Sequence, residues 1–192
     1  MIEIIAQINI DIATWMHSLL GQWIYFDAFI MISARYLDIT FLCLVSLHIL
    51  TARIYPRNEP YLSWYTIHER VKDFFFFVIT GLTAWITALV LKFMIHVPRP
   101  FITHDVIHPL FEYGGYDSFP SGHALLFTAI TIAAWHHQKP LGIVVGCVSV
   151  LIMVSRVIAG IHYPLDIIGG ILIGSIIAWG VLYARRYFNH IW

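Results

Sequence analysis

Charge is what this chain most lacks: Asp, Glu, Lys and Arg make up 11% of its 192 residues, while 59% are hydrophobic. A soluble globule usually carries about 25% charged residues to cover its surface. A water-soluble domain is therefore excluded, and the chain reads as an integral membrane protein. The few charges cancel, 11 basic against 11 acidic, so nothing suggests nucleic acid and no such partner is expected. Cysteine is nearly absent. Cys43 and Cys147 both lie inside apolar runs, where they read as small buried hydrophobes, not as a disulfide or a metal pair. Long polar linkers, low-complexity stretches and internal repeats are also lacking, which predicts one transmembrane domain over residues 1–192. No basic segment precedes the first apolar stretch, so a cleavable signal peptide is not expected.

Apolar runs of spanning length are plentiful. Stretches of roughly 17 to 25 mostly apolar residues can cross a bilayer, and they fall at 28–54, 73–95, 119–135, 141–158 and 165–183. In the first twenty residues Glu3, Gln7, Asn9, Asp11 and His17 interrupt the apolar pattern. That suits either an interfacial helix or a polar-faced span packed on the bundle. The expected fold is all-α, an integral membrane helical bundle of five or six spans.

Three short stretches break the apolar background: Lys92-x6-Arg99-Pro100, Phe119-Pro120-Ser121-Gly122-His123 and Ser155-Arg156-x5-His162-x3-Asp166. Each lies at the end of a predicted span, and alternating spans bring all of them to one membrane face. Arg53, Arg57, Arg70, Lys72, Lys139, Arg185 and Arg186 fall at the opposite face, with Arg35 the one other basic residue placed towards the motifs. The positive-inside rule then sets the motif face outside the cytoplasm, in a bacterial inner or cytoplasmic membrane.

The residue types point to phosphate chemistry. A phosphoryl group in transfer spreads negative charge over its equatorial oxygens, so positioning and charge stabilisation do most of the catalysis. Lys92, Arg99 and Arg156 supply that charge without a metal ion; arginine offers a planar fork and lysine a point charge. Any one of them alone reads as an interface residue snorkelling to headgroups, but three beside two histidines do not. Residues 113–120 read as a turn entering a helix, with Ser118 or Phe119 near the cap and Pro120 at the first helical position. The Ser121 and Gly122 N–H groups would then point out of a helix amino terminus, where anions bind. The Ser121 hydroxyl is a further donor or a plain cap. Pro164 predicts a helix start near Tyr163, with Asp166 one turn in. There the carboxylate can hold one ring nitrogen of His162 and leave the other free to attack phosphorus.

In order and spacing these three stretches resemble the signature of the type 2 phosphatidic acid phosphatase superfamily, which includes membrane lipid phosphatases, bacterial acid phosphatases, glucose-6-phosphatase and vanadium haloperoxidases. The resemblance covers residues 92–166, and the flanking apolar segments fit the membrane branch, in particular the bacterial undecaprenyl pyrophosphate phosphatases. It implies a hydrolase without metal or cofactor, whose partners are the bilayer and a membrane lipid substrate. The reaction implied is removal of a terminal phosphate from a lipid phosphate or pyrophosphate, with undecaprenyl pyrophosphate as first choice. Phosphatidylglycerophosphate, phosphatidic acid and lipid A are alternatives, as is transfer of the phosphoryl group to another lipid. The implied roles are His162 as nucleophile forming a phosphohistidine, Asp166 orienting it, and His123 protonating the leaving oxygen and later serving as base for water. Lys92, Arg99, Ser121, Gly122 and Arg156 bind the phosphate. His162 must be neutral and His123 protonated, which predicts a bell-shaped pH profile.

Rival classes fit less well. Haloperoxidase relatives are soluble, against this composition, and a lipid transporter or scramblase leaves the catalytic set unexplained. His104-x3-His108 has spacing that suits zinc, but no third His or Cys accompanies it, and contact with a headgroup is the preferred reading. Loop 101–119 is expected to set headgroup choice. Its full charges, Asp105, Glu112 and Asp117, argue against a strongly anionic headgroup beyond the scissile phosphate.

Overall fold

A computed structural model of the chain describes residues 1–51 and 64–189. Eight helices occur among them: α1 Ile2–His17, α2 Ile24–Arg35, α3 Leu37–Thr51, α4 Trp64–Ile95, α5 Pro100–Thr103, α6 Gly122–His137, α7 Lys139–Ile158 and α8 Pro164–Asn189. Their boundaries follow from local chemistry. His96 ends α4 in the left-handed region, with φ of 51°, and Pro98 follows, which cannot continue a helix. Extended Gln138 separates α6 from α7, whose first turn contains Pro140. Pro164 opens α8 at the position where its missing N–H costs nothing.

Helix α6 is the centre of the bundle, packed against α4, α7 and α8. Ala124, Leu125, Phe127, Ala129, Ala133 and Ala134 are fully buried on it, as expected of a helix apolar on every side. Its small residues let α8 come close. A Cβ on Gly174 would lie 2.4 Å from the Leu125 carbonyl oxygen, and one on Gly170 would lie 2.7 Å from the Ser121 oxygen. This is the small-residue packing by which membrane helices approach without help from the hydrophobic effect.

The expected count of five or six spans is not met. Among the described residues three helical stretches are long and apolar enough to cross a membrane, Ile67–Thr103, Lys139–Ile158 and Pro164–Tyr187, or four if α2 and α3, bent by 56°, form one broken span. The run at 119–135 becomes α6, whose 16 residues extend about 24 Å at 1.5 Å per residue, short of a hydrocarbon core of roughly 30 Å. Helix α1 also has 16 residues. Its Asn9 side chain accepts a bond from Leu165 N and its His17 ring bonds Ile158 O, so both polar anchors sit at the end of the bundle that carries the motifs. The excess of expected spans has a physical cause: apolar residues facing other helices and apolar residues facing lipid look alike in a sequence. The chain is a multi-pass membrane protein all the same.

Of the basic residues expected at the far end, Arg70, Lys72, Lys139, Arg185 and Arg186 are on the early turns of α4 and α7 and the late turns of α8. Arg53 and Arg57 lie outside the described residues. At that end Asp73 accepts from Arg185 Nη2 at 2.6 Å and lies 3.1 Å from His137 Nδ1.

Candidate active site

The three motif stretches meet at one end of the bundle, on the last turns of α4 and α7, the first turns of α6 and α8, and the connections between them. Arg99 sits in extended backbone before α5, its N–H donating to Gly115 O at 2.9 Å. Its guanidinium is 1% exposed and donates to Ile161 O at 2.6 Å, Asp117 Oδ1 at 3.0 Å and Asp117 O at 3.2 Å. The same Nη1 lies 3.4 Å from His162 Nε2. Across that ring, Nδ1 lies 3.4 Å from Asp166 Oδ2. A guanidinium only donates and a carboxylate only accepts, so the network assigns the proton to Nδ1 and leaves Nε2 unprotonated, its lone pair facing the Arg99 guanidinium. Burial, then the charges of Arg99, Arg156 and Lys92, pushes the His162 pKa well below 6.5 and keeps the ring neutral.

Asp166 does more than face His162. Its Oδ2 accepts from Tyr163 N at 2.8 Å and from Ser118 Oγ at 2.5 Å. The first bond closes the amino terminus of α8 as the acidic half of a capping box; the second ties in the loop before α6.

Arg156, also 1% exposed, donates from Nη1 to Ala34 O at 2.7 Å and from Nη2 to the Tyr113 hydroxyl at 2.5 Å. Its Nε is buried with no hydrogen-bond partner among the described residues. A buried orphan donor on a guanidinium is costly unless a ligand completes it. The Tyr113 ring lies 4.4 Å from the Arg99 Cζ and 5.1 Å from that of Arg156, linking the two arginines by cation–π contact. Lys92 donates to the Asp117 carbonyl, and its Nζ is 3.9 Å from Asp117 Oδ2. Asp117 thus rests on two of the three cations. Partial burial pushes its pKa up, but the Arg99 hydrogen bond and the charges of Arg99 and Lys92 outweigh this and hold it below the ordinary value. An anion at Lys92 and Arg99 would compete with this carboxylate.

His123, in the first turn of α6, bonds through Nε2 to Asp38 Oδ2 at 2.7 Å. Its ring stacks on Phe127 and meets the Trp85 ring edge-on. Burial, then Arg156, pushes its pKa down to about 4, while Asp38 pulls the other way. A cavity of about 190 Å³ opens beside it, lined by Arg35, Asp38, Glu112, Tyr113 and Arg156 among others. Arg35 therefore lies at the motif end, as the sequence suggested.

The amino terminus of α6 begins two residues later than expected. Ser121 is the cap and Gly122 the first helical residue, so Pro120 precedes the helix and Ser118 and Phe119 stand outside it. The Ser121 N–H donates to Asp166 O at 3.0 Å, and its hydroxyl accepts from Ala124 N at 3.5 Å. Ser121 thus acts as a cap that joins α6 to α8.

Asp38, Tyr113 and Ser118 were not among the site residues read from the sequence, where Ser118 was read only as a candidate helix cap. The only available signal was that Asp38 is an acid in an apolar run and that Tyr113 and Ser118 adjoin a motif. His17, without a motif, bonds Ile158 O and accepts from His108 N at 3.2 Å. His104 meets the Tyr163 ring edge-on, and among the described residues no group of three His, Cys, Asp or Glu side chains is placed to hold a metal.

The model of the PAP2 superfamily matches residues 73–190. The chain is 33% identical over 107 residues to the undecaprenyl-diphosphatase BcrC of Bacillus subtilis, covering 56% of this chain and 54% of that one. It spans about half or less of the length of the curated relatives it matches. Its fold is similar to that of Aquifex aeolicus LpxE, with a TM-score of 0.72 at 21% identity over 92% of this chain and 95% of that one. A transmembrane PAP2-type phosphatidylglycerolphosphate phosphatase from Bacillus subtilis gives a TM-score of 0.67 at 19% identity, over 95% and 87%.

Proposed function

Because the chain belongs to the PAP2 superfamily, we propose that it is a membrane lipid phosphatase that removes the terminal phosphate of a lipid phosphate or pyrophosphate through a phosphohistidine on His162. The observation that carries the reading is the buried constellation of Arg99, His162 and Asp166, with a neutral Nε2 aimed at a cationic pocket. In the first step an Nε2–P bond forms and the bond from phosphorus to the leaving oxygen breaks, while His123 gives that oxygen its proton. Lys92, Arg99 and the unpartnered Nε of Arg156 hold the equatorial oxygens. Asp166 stabilises the imidazolium that forms, as the carboxylate of a catalytic triad does. Water then attacks phosphorus and gives a proton to His123, the N–P bond breaks, and inorganic phosphate leaves.

Undecaprenyl pyrophosphate is the first-choice substrate, supported by the likeness to BcrC. The site faces the outside of the cytoplasmic membrane, supported by the basic residues gathered at the other end of the bundle. Three fixed cations take the place a metal would otherwise fill, so the reaction proceeds with chelator present. The test is phosphate release by purified protein in detergent and chelator, offered undecaprenyl pyrophosphate, phosphatidylglycerophosphate and phosphatidic acid. Release from the first at the highest kcat/KM supports the reading. Chelator-resistant release greatest from another lipid keeps the chemistry and changes the substrate, and release from none overturns both.

A further inference from the structure

Asp38 lies outside the residues matched by the family model, on a different helix from every motif residue, yet its Oδ2 sits 2.7 Å from His123 Nε2. The bond is sheltered: the two side chains are 10% and 15% exposed. Asp38 is itself anchored, since its Oδ1 accepts from Ile39 N at 2.7 Å in the first turn of α3. The imidazole is clamped by Phe127 below and Trp85 at its edge. With Nε2 held by the carboxylate, Nδ1 is the nitrogen left for substrate.

We propose that Asp38 is a positioning residue for His123, holding Nε2 so that Nδ1 delivers the proton to the leaving oxygen in the adjoining cavity. The inference rests on the phosphatase reading for the identity of the reaction. His123 needs such a partner because its other neighbours oppose the imidazolium. Arg156 from α7 and Lys92 from α4 are cations that disfavour a charged ring, and Arg35 from α2 lines the same cavity. Glu112 and Tyr113 from the loop before α6 line it too, but Asp38 is the acid in direct contact. An opposite charge at this distance raises an imidazole pKa by roughly 1–3 units. Proton transfer is then conserved: the proton on Nδ1 goes to the leaving oxygen as the P–O bond breaks, and the water of the second step restores it.

The test compares wild type, Asp38→Asn and Asp38→Glu on undecaprenyl pyrophosphate and on an aryl phosphate whose leaving group needs no proton, together with an imidazole NMR titration of His123 in detergent. Asp38→Asn is expected to lower kcat on the lipid by about 10-fold to 100-fold, within the range general-acid catalysis supplies. KM should change little, the deficit on the aryl phosphate should be several-fold smaller, and the His123 midpoint should fall by about one unit or more. Asp38→Glu should restore part of the rate. An unchanged His123 midpoint in a folded Asp38→Asn protein would overturn the proposal, and so would equal losses on both substrates. If wild type released no phosphate, the phosphatase reading would fall, while the titration would still decide whether Asp38 governs His123.

Discussion

His162 is held between a donor and an acceptor, Arg99 Nη1 on one nitrogen and Asp166 on the other, and its ionisation follows from that placement. On the proposed mechanism the free protein needs His162 neutral and His123 protonated. Both rings are shifted downwards, His123 to about 4, so both limbs of the kcat/KM profile move to acid. The optimum of kcat/KM is expected below the imidazole reference of about 6.5. A bound phosphate raises both pKa values by its negative charge, so the optimum of kcat lies at higher pH. Initial rates across the pH range check this; a kcat/KM that climbs steadily from about pH 6 to about pH 9 would contradict the roles given to the two histidines. At this scale the sequence was readable where spacing is short. His162 stands just before a proline-started helix and Asp166 one turn into it, and their meeting could be argued from that alone. Asp38 is 85 residues from His123, and no spacing rule joins them; only the packing of α3 beside the bundle does.

The elements carry a different kind of information. Motif residues sit at helix ends, where capping and proline chemistry are legible, so the start of α8 came out of the sequence nearly correctly. Helix α6 did not: its cap moved to Ser121, and its apolar faces, which look like lipid contacts, are spent on α4, α7 and α8. The close approach of α8 makes a prediction that belongs here. Gly174→Ala places a Cβ 2.4 Å from a backbone oxygen of α6, so the helices must part, at a cost of roughly 1–3 kcal/mol. Among the described residues nothing lies within 4 Å of where a Cβ on Gly180 would sit, and Gly180→Ala should leave stability unchanged or slightly improved. Thermal unfolding midpoints in detergent compare the two, and equal midpoints would contradict the packing described.

At the scale of the whole molecule, charge asymmetry orients the bundle. The motif end carries Lys92, Arg99 and Arg156, while Arg70, Lys72, Lys139, Arg185 and Arg186 gather at the other end, which predicts a cytoplasmic far end. In a Cys43→Ser, Cys147→Ser background, a Val106→Cys protein should react with a membrane-impermeant maleimide on intact cells, since Val106 is 68% exposed in the motif loop. A Lys139→Cys protein should not. The reverse pattern would place the site in the cytoplasm. Hydropathy read the class of the molecule correctly and the number of spans too high, because a 16-residue apolar helix enclosed by its neighbours meets the same compositional test as one in lipid.

The central claim is phosphoryl transfer to His162, and rapid quench with undecaprenyl pyrophosphate labelled in its terminal phosphate tests it most directly. The account predicts a transient protein-bound label that is stable to alkali and labile to acid, maps to His162, and disappears with phosphate release in His162→Ala. Phosphate release that persists in His162→Ala, with no label on the wild-type protein, would contradict it.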